Sequence, residues 1–63
     1  MPDITWEDPL CGEGNNCFRL GTDPDGNGYI AVNGQEDRYL TDSVEALRTL
    51  ITDIKAGKAD HLL

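Results

Sequence analysis

The stretch "DPDGNGYI", residues Asp23 to Ile30, decides between two folds. In one it opens a calcium-binding EF-hand loop. Such a loop draws oxygen ligands from its first, third, fifth, seventh, ninth and twelfth positions, with Gly at the sixth and a bidentate Glu at the twelfth. Asp23, Asp25 and Asn27 fall on the first three ligand positions, and Gly28 falls on the glycine. Tyr29 offers its backbone carbonyl, and Ile30 matches the usual apolar eighth position.

The back half breaks this pattern. Ala31 stands at the ninth position and Gly34 at the twelfth, while Glu36 lies two residues too far along. Pro24 separates the first two ligands, "CGEGNN" upstream cannot form the incoming helix, and "IAVNG" downstream favours strand and turn. The alternative fold needs the same residues for a different reason. A hairpin loop wants Pro to preset φ, Gly to permit positive φ, and Asp and Asn to bond their own backbone. The stretch is therefore expected to connect two strands. Asp23, Asp25 and Asn27 remain a weak cation-binding alternative, and no metal or cofactor is expected.

Strands are legible on both sides of this loop. In "CFRLGT", Phe18 and Leu20 alternate with Cys17 and Arg19, the period of a half-buried strand. "YIAV" is rich in β-formers and puts Ile30 and Val32 on one face, Tyr29 and Ala31 on the other. "NGQED" is a second turn, whose Asn33-Gly34 dipeptide suits type I′. "RYL" is then a short third strand.

From Thr41 the period changes. Val44, Leu47, Leu50, Ile51 and Ile54 recur at spacings of three and four, one stripe of a helix over about 42–56. Asp42 with Glu45 resembles a capping box, Thr41 is a rival N-cap, and Ser43 also suits a cap. Gly57 fits the left-handed position just past the end. The expected fold is α+β: a small three-stranded antiparallel β-meander with one C-terminal α-helix packed on it. It forms a single domain, 1–63, with an irregular arm (1–16) pinned by Trp6, the meander (17–40) and the helix. Trp6, Phe18, Leu20, Ile30, Val32, Leu47, Ile51 and Ile54 are the expected core.

Sixty-three residues cannot bury much, and such domains often need a metal, a disulfide or a partner. The net charge of −7 is unevenly placed. Residues 1–37 carry eight acids and one base, Arg19; residues 38–63 carry four of each. The acidic front argues against direct binding of nucleic acid or anionic membranes and suits a basic protein or a cation. No apolar run is long enough to span a membrane, and the first residues lack the features of a secretory signal. A cytoplasmic location follows as an expectation, with Cys11 and Cys17 as thiols.

Catalytic chemistry is not expected. Cys11, Cys17 and His61 lack the close pairing of a zinc site. No nucleophile has an evident base, and His61 lies near the chain end.

The landmarks together resemble an actinobacterial family of short acidic proteins, the domain of unknown function numbered 397. Trp6 is followed by a Gly- and Asn-rich run ending in "NNCFRL"; "GYIAV" matches the family's next strand, and "EALRTLITDIKAGKAD" its terminal helix. The resemblance runs from Trp6 to about Asp60. Arg19 stands where the family usually carries an acid, Leu47 where it usually carries Trp, and "NGQEDRY" is shorter than the family's loop.

The resemblance implies an accessory regulatory protein that binds a helix-turn-helix transcriptional regulator, in some pairs in a toxin–antitoxin manner. The acids expected to be exposed, Glu7, Asp8, Glu36 and Asp37, with Arg38, are the expected partner-contacting residues. Self-association is left open, and a weak cation module or an interaction protein of another kind are the alternatives.

Overall fold

The computed structural model describes residues 3–11 and 17–63. The expected turns of "GEGNN", with Glu13, lie outside the described residues. Four strands, β1 (Thr5–Trp6), β2 (Phe18–Thr22), β3 (Asn27–Val32) and β4 (Leu40–Ser43), precede one helix, α1 (Val44–Lys55), and a short 3₁₀ turn at Asp60–Leu62. The strands form one antiparallel sheet in chain order. The α+β class and the C-terminal helix match expectation, but the sheet has four strands rather than three.

The extra strand is β1, inside the segment expected to be an irregular arm. Trp6 does pin that segment, but as a strand residue. It pairs with Gly21, where an added Cβ would lie 2.9 Å from both the Trp6 ring and Ile4 Cγ2. Gly21 thus lets the first strand and its indole lie flat on β2.

The pairing then slips by one. Trp6 opposes Gly21 and Leu10 opposes Phe18, so four steps on one side match three on the other. The extra residue accommodates Pro9, which has no N–H to give to a ladder. The slip also brings Cys11 opposite Cys17. The two form a disulfide with Cα atoms 4.7 Å apart, which corrects the expectation of free thiols.

The hairpin between β2 and β3 forms as expected. Gly26 takes φ +89°, and Asp23 N–H donates to the Asn27 carbonyl at 3.1 Å. The next turn differs from expectation. Gly34 has φ +90°, but no described non-glycine residue has positive φ, so Asn33-Gly34 cannot be type I′. The Gln35 N–H donates to the Val32 carbonyl at 2.8 Å, and the φ signs are those of type II.

β4 also starts later than "RYL". Arg38 and Tyr39 remain in the connection, and Leu40–Ser43 pairs with β3. Thr41 donates from Oγ1 to the Gly28 carbonyl at 3.0 Å, so it is a strand residue and not a cap. The ladder holds residues 40–43 extended, and α1 begins only after it.

Ser43 is the N-cap, its hydroxyl accepting from the Ala46 N–H at 3.1 Å, whereas Asp42 accepts from the Ser43 N–H. The helix stops just before Gly57, as the sequence predicts. Gly57 has φ +90°, Gly57 N–H bonds the Ile54 carbonyl, and Lys58 N–H bonds the Asp53 carbonyl, a Schellman motif.

The register sorts side chains onto two faces. Arg19, Gly21, Tyr29, Ala31 and Thr41 share one; Phe18, Leu20, Ile30, Val32 and Leu40 share the other with Gly28. The first face is the better covered. Tyr29 and Ala31 are buried there, and Tyr29 makes edge contacts with Trp6 (centroids 6.2 Å apart) and Tyr39 (5.0 Å). Cys17 is buried as well.

On the second face α1 seats Leu47 against Gly28, and Leu47 is the buried residue of the helix. The expected core is therefore corrected in part. Leu47 is buried and Trp6, Leu20, Ile30 and Val32 are half-buried, but Phe18, Ile51 and Ile54 are exposed.

Candidate functional site

One cation, Arg19, ties two acidic segments together. Arg19 donates from Nε to the Glu7 carbonyl at 3.0 Å and from an Nη to Glu36 Oε2 at 2.8 Å. The bulge after Trp6 presents the Glu7 carbonyl to β2, and alternation along β2 turns Arg19 away from the helix side. The guanidinium thus joins the chain leaving β1 to the loop between β3 and β4.

Two acidic pairs that are distant in sequence meet at this side chain. The Glu7 backbone carbonyl meets it on one side and the Glu36 carboxylate on the other, with Asp8 and Asp37 next in sequence to them. Glu7, Asp8, Asp37 and Arg38 are exposed, and Glu36 is half-buried. Glu36 differs from the exposed acids because Arg19 holds its carboxyl below the usual carboxylate range. The four carboxylates and Arg19 carry a net charge of −3, or −2 with Arg38. Negative charge of this kind can attract basic side chains and steer their approach.

Arg19 itself was not among the expected contact residues. The available signal was its isolation: one base among eight acids in residues 1–37 is a strong candidate for an ion pair.

The stretch Asp23–Asn27 is organised by Asp23. One carboxylate oxygen accepts from the Asp25 N–H at 2.9 Å and the Asn27 N–H at 3.0 Å. The other accepts from Asn27 Nδ2 at 3.0 Å and from the Tyr29 hydroxyl at 2.5 Å. The Tyr29 hydroxyl leads in holding the Asp23 carboxyl down at about 2, and the same bond raises the Tyr29 phenol above its ordinary value.

Asp23 is thus a structural hub that fastens the loop to β3, and a cation entering here must displace these donors. Asn27 turns its amide N–H toward Asp23. Gly28 sits where a calcium loop requires Gly, but its side-chain-free face is occupied by Leu47. Among the described residues no group of three or more His, Cys, Asp or Glu side chains is arranged to hold a metal ion. No helix among them is long and apolar enough to cross a membrane. His61, exposed in the terminal 3₁₀ turn, lies outside both clusters.

Compared with protein-family models, curated proteins and solved structures, the chain matches none of them.

Proposed function

We propose that this chain is a small, non-catalytic, acidic accessory protein that binds a helix-turn-helix transcriptional regulator in the cytoplasm. The resemblance to the actinobacterial family numbered 397 supplies the partner class. The observation that carries the proposal is the Arg19 bridge, which ties the Glu7 backbone to the Glu36 carboxylate and so links the two acidic segments 7–8 and 36–37. DNA-binding domains are basic where they meet phosphate, and an acidic surface with fixed geometry complements them.

Glu36 has a different role from the one its exposed neighbours would take. Its carboxylate already neutralises Arg19, so its removal would loosen the surface rather than subtract one contact. Asp8 and Asp37 are the residues whose reversal tests contact directly. In a cytoplasmic setting the Cys11–Cys17 bond would stand against a reducing environment, so its state in the cell bears on the location as well.

The test is affinity capture from native cytosol. A basic helix-turn-helix protein should be recovered by the wild type and lost with Asp8→Lys plus Asp37→Lys. Recovery of no such protein, or recovery indifferent to the two reversals, would count against the proposal.

A further inference from the structure

We propose that the apolar trough between α1 and the sheet is the interface of a symmetric homodimer, occupied by a second copy of this chain. The trough lies on the sheet face opposite Arg19. Its larger part, about 560 Å³, is lined by Phe18, Leu20, Ile30, Leu50, Ile51 and Ile54. A second hollow of about 390 Å³ shares Ile30 and Leu50 and extends to Leu40 and Asp42. Together they form a channel along α1, with Asp42 at one end and Lys55 at the other.

Area favours an occupant. Leu10, Phe18 and Leu40 are 63%, 62% and 73% exposed, and Leu50, Ile51 and Ile54 are 41%, 41% and 51% exposed. At about 150–250 Å² for a large side chain, these six leave roughly 600 Å² of apolar surface in water. That is the upper end of the roughly 300–600 Å² seen for the largest patch on a monomer. Two copies covering it would bury about 1,200 Å² from these side chains alone, which reaches the lower bound of a stable interface.

Charge selects the second copy over a foreign basic chain. The acidic excess sits in residues 1–37, and Arg19, which pairs with Glu36, lies on the other sheet face. Helix α1 is balanced, with Glu45 and Asp53 against Arg48 and Lys55. Among the described residues, the channel's charged lining is one acid and one base, at opposite ends. A basic partner gains no net attraction there.

A two-fold axis that sets the two helices antiparallel brings Asp42 of each copy to Lys55 of the other. It also opposes the two helix dipoles favourably. The acidic faces then point outward on both sides.

Sedimentation equilibrium of the whole chain, from micromolar to millimolar concentration, tests this. The expected mass is twice 6.9 kDa. Ile51→Glu and Ile54→Glu should each raise the dissociation constant by about tenfold or more, by burying an unpaired charge. Asp42→Lys should weaken association and Asp42→Lys with Lys55→Glu should restore it, with unchanged far-UV circular dichroism as the check on folding.

A monomer mass at every concentration would overturn the proposal. So would a dimer indifferent to Ile51→Glu and to the charge exchange. A monomer whose Leu50 and Ile51 resonances shift on adding a basic amphipathic peptide would assign the trough to a foreign helix instead.

Discussion

Leu47 of α1 rests on Gly28 of β3 so closely that a Cβ at residue 28 would stand 3.0 Å from Leu47 Cβ and 3.1 Å from its Cδ2. The contact seats the helix on the sheet and explains the glycine without any cation. Gly28→Ala should therefore destabilise the fold by about 1–3 kcal/mol, the usual cost of overpacking a fitted contact. Urea denaturation followed by circular dichroism measures it. An unchanged midpoint would mean that the helix docks elsewhere.

The Asp23–Tyr29 bond predicts an acid-sensitive fold. The folded carboxyl titrates at about 2, below its ordinary 3.8. A group depressed on folding contributes stability that is present above its unfolded pKa and is lost as pH falls through the folded one. Stability should therefore decline from about pH 4 towards pH 2, with Glu36 acting in the same direction through Arg19. Tyr29→Phe removes the largest cause, so the Asp23 carboxyl should move back up towards its ordinary value. Carboxyl ¹³C titration of the two proteins checks this; coincident curves would show that the hydroxyl does not hold Asp23.

The Cys11–Cys17 disulfide closes a short loop, with a sequence separation of 6. Chain-entropy arithmetic for so short a loop gives a stabilisation of about 2 kcal/mol. Reduction should lower the unfolding free energy by about that amount, read from denaturation curves with and without reductant. It should also loosen the Leu10–Phe18 bridge next to it, seen as faster amide exchange at Leu10.

What the sequence made legible was local. The hairpin at Asp23–Asn27 and the stop at Gly57 follow from turn and cap chemistry within a few residues. The stripe of α1 follows from spacing. What was hidden depends on pairing between distant segments.

Thr5–Trp6 becomes a strand only because Thr22 and Gly21 lie beside it. Cys11 meets Cys17 only because the chain gains one residue between Trp6 and Leu10. Thr41–Ser43 carries helix-start lettering, yet the ladder to β3 holds it extended until Ser43 caps the helix.

Alternation likewise shows that Tyr29 and Ala31 share a face, but not which face is better covered. The aromatic contacts of Trp6 and Tyr39 with Tyr29 settle that in three dimensions. In the candidate site, the sequence named Glu7, Asp8, Glu36 and Asp37 as acids. It did not show that Arg19 stands between the two pairs and leaves Glu36 engaged.

The acidic residues near Arg19 are proposed to bind a basic regulator. The most direct measurement is a titration of the captured regulator with the wild type and with Asp8→Lys plus Asp37→Lys, at low and at raised salt. The prediction is a loss of about tenfold or more in affinity for the double variant, and a wild-type affinity that falls as salt screens the charges. Equal affinities for the two proteins, unmoved by salt, would contradict it.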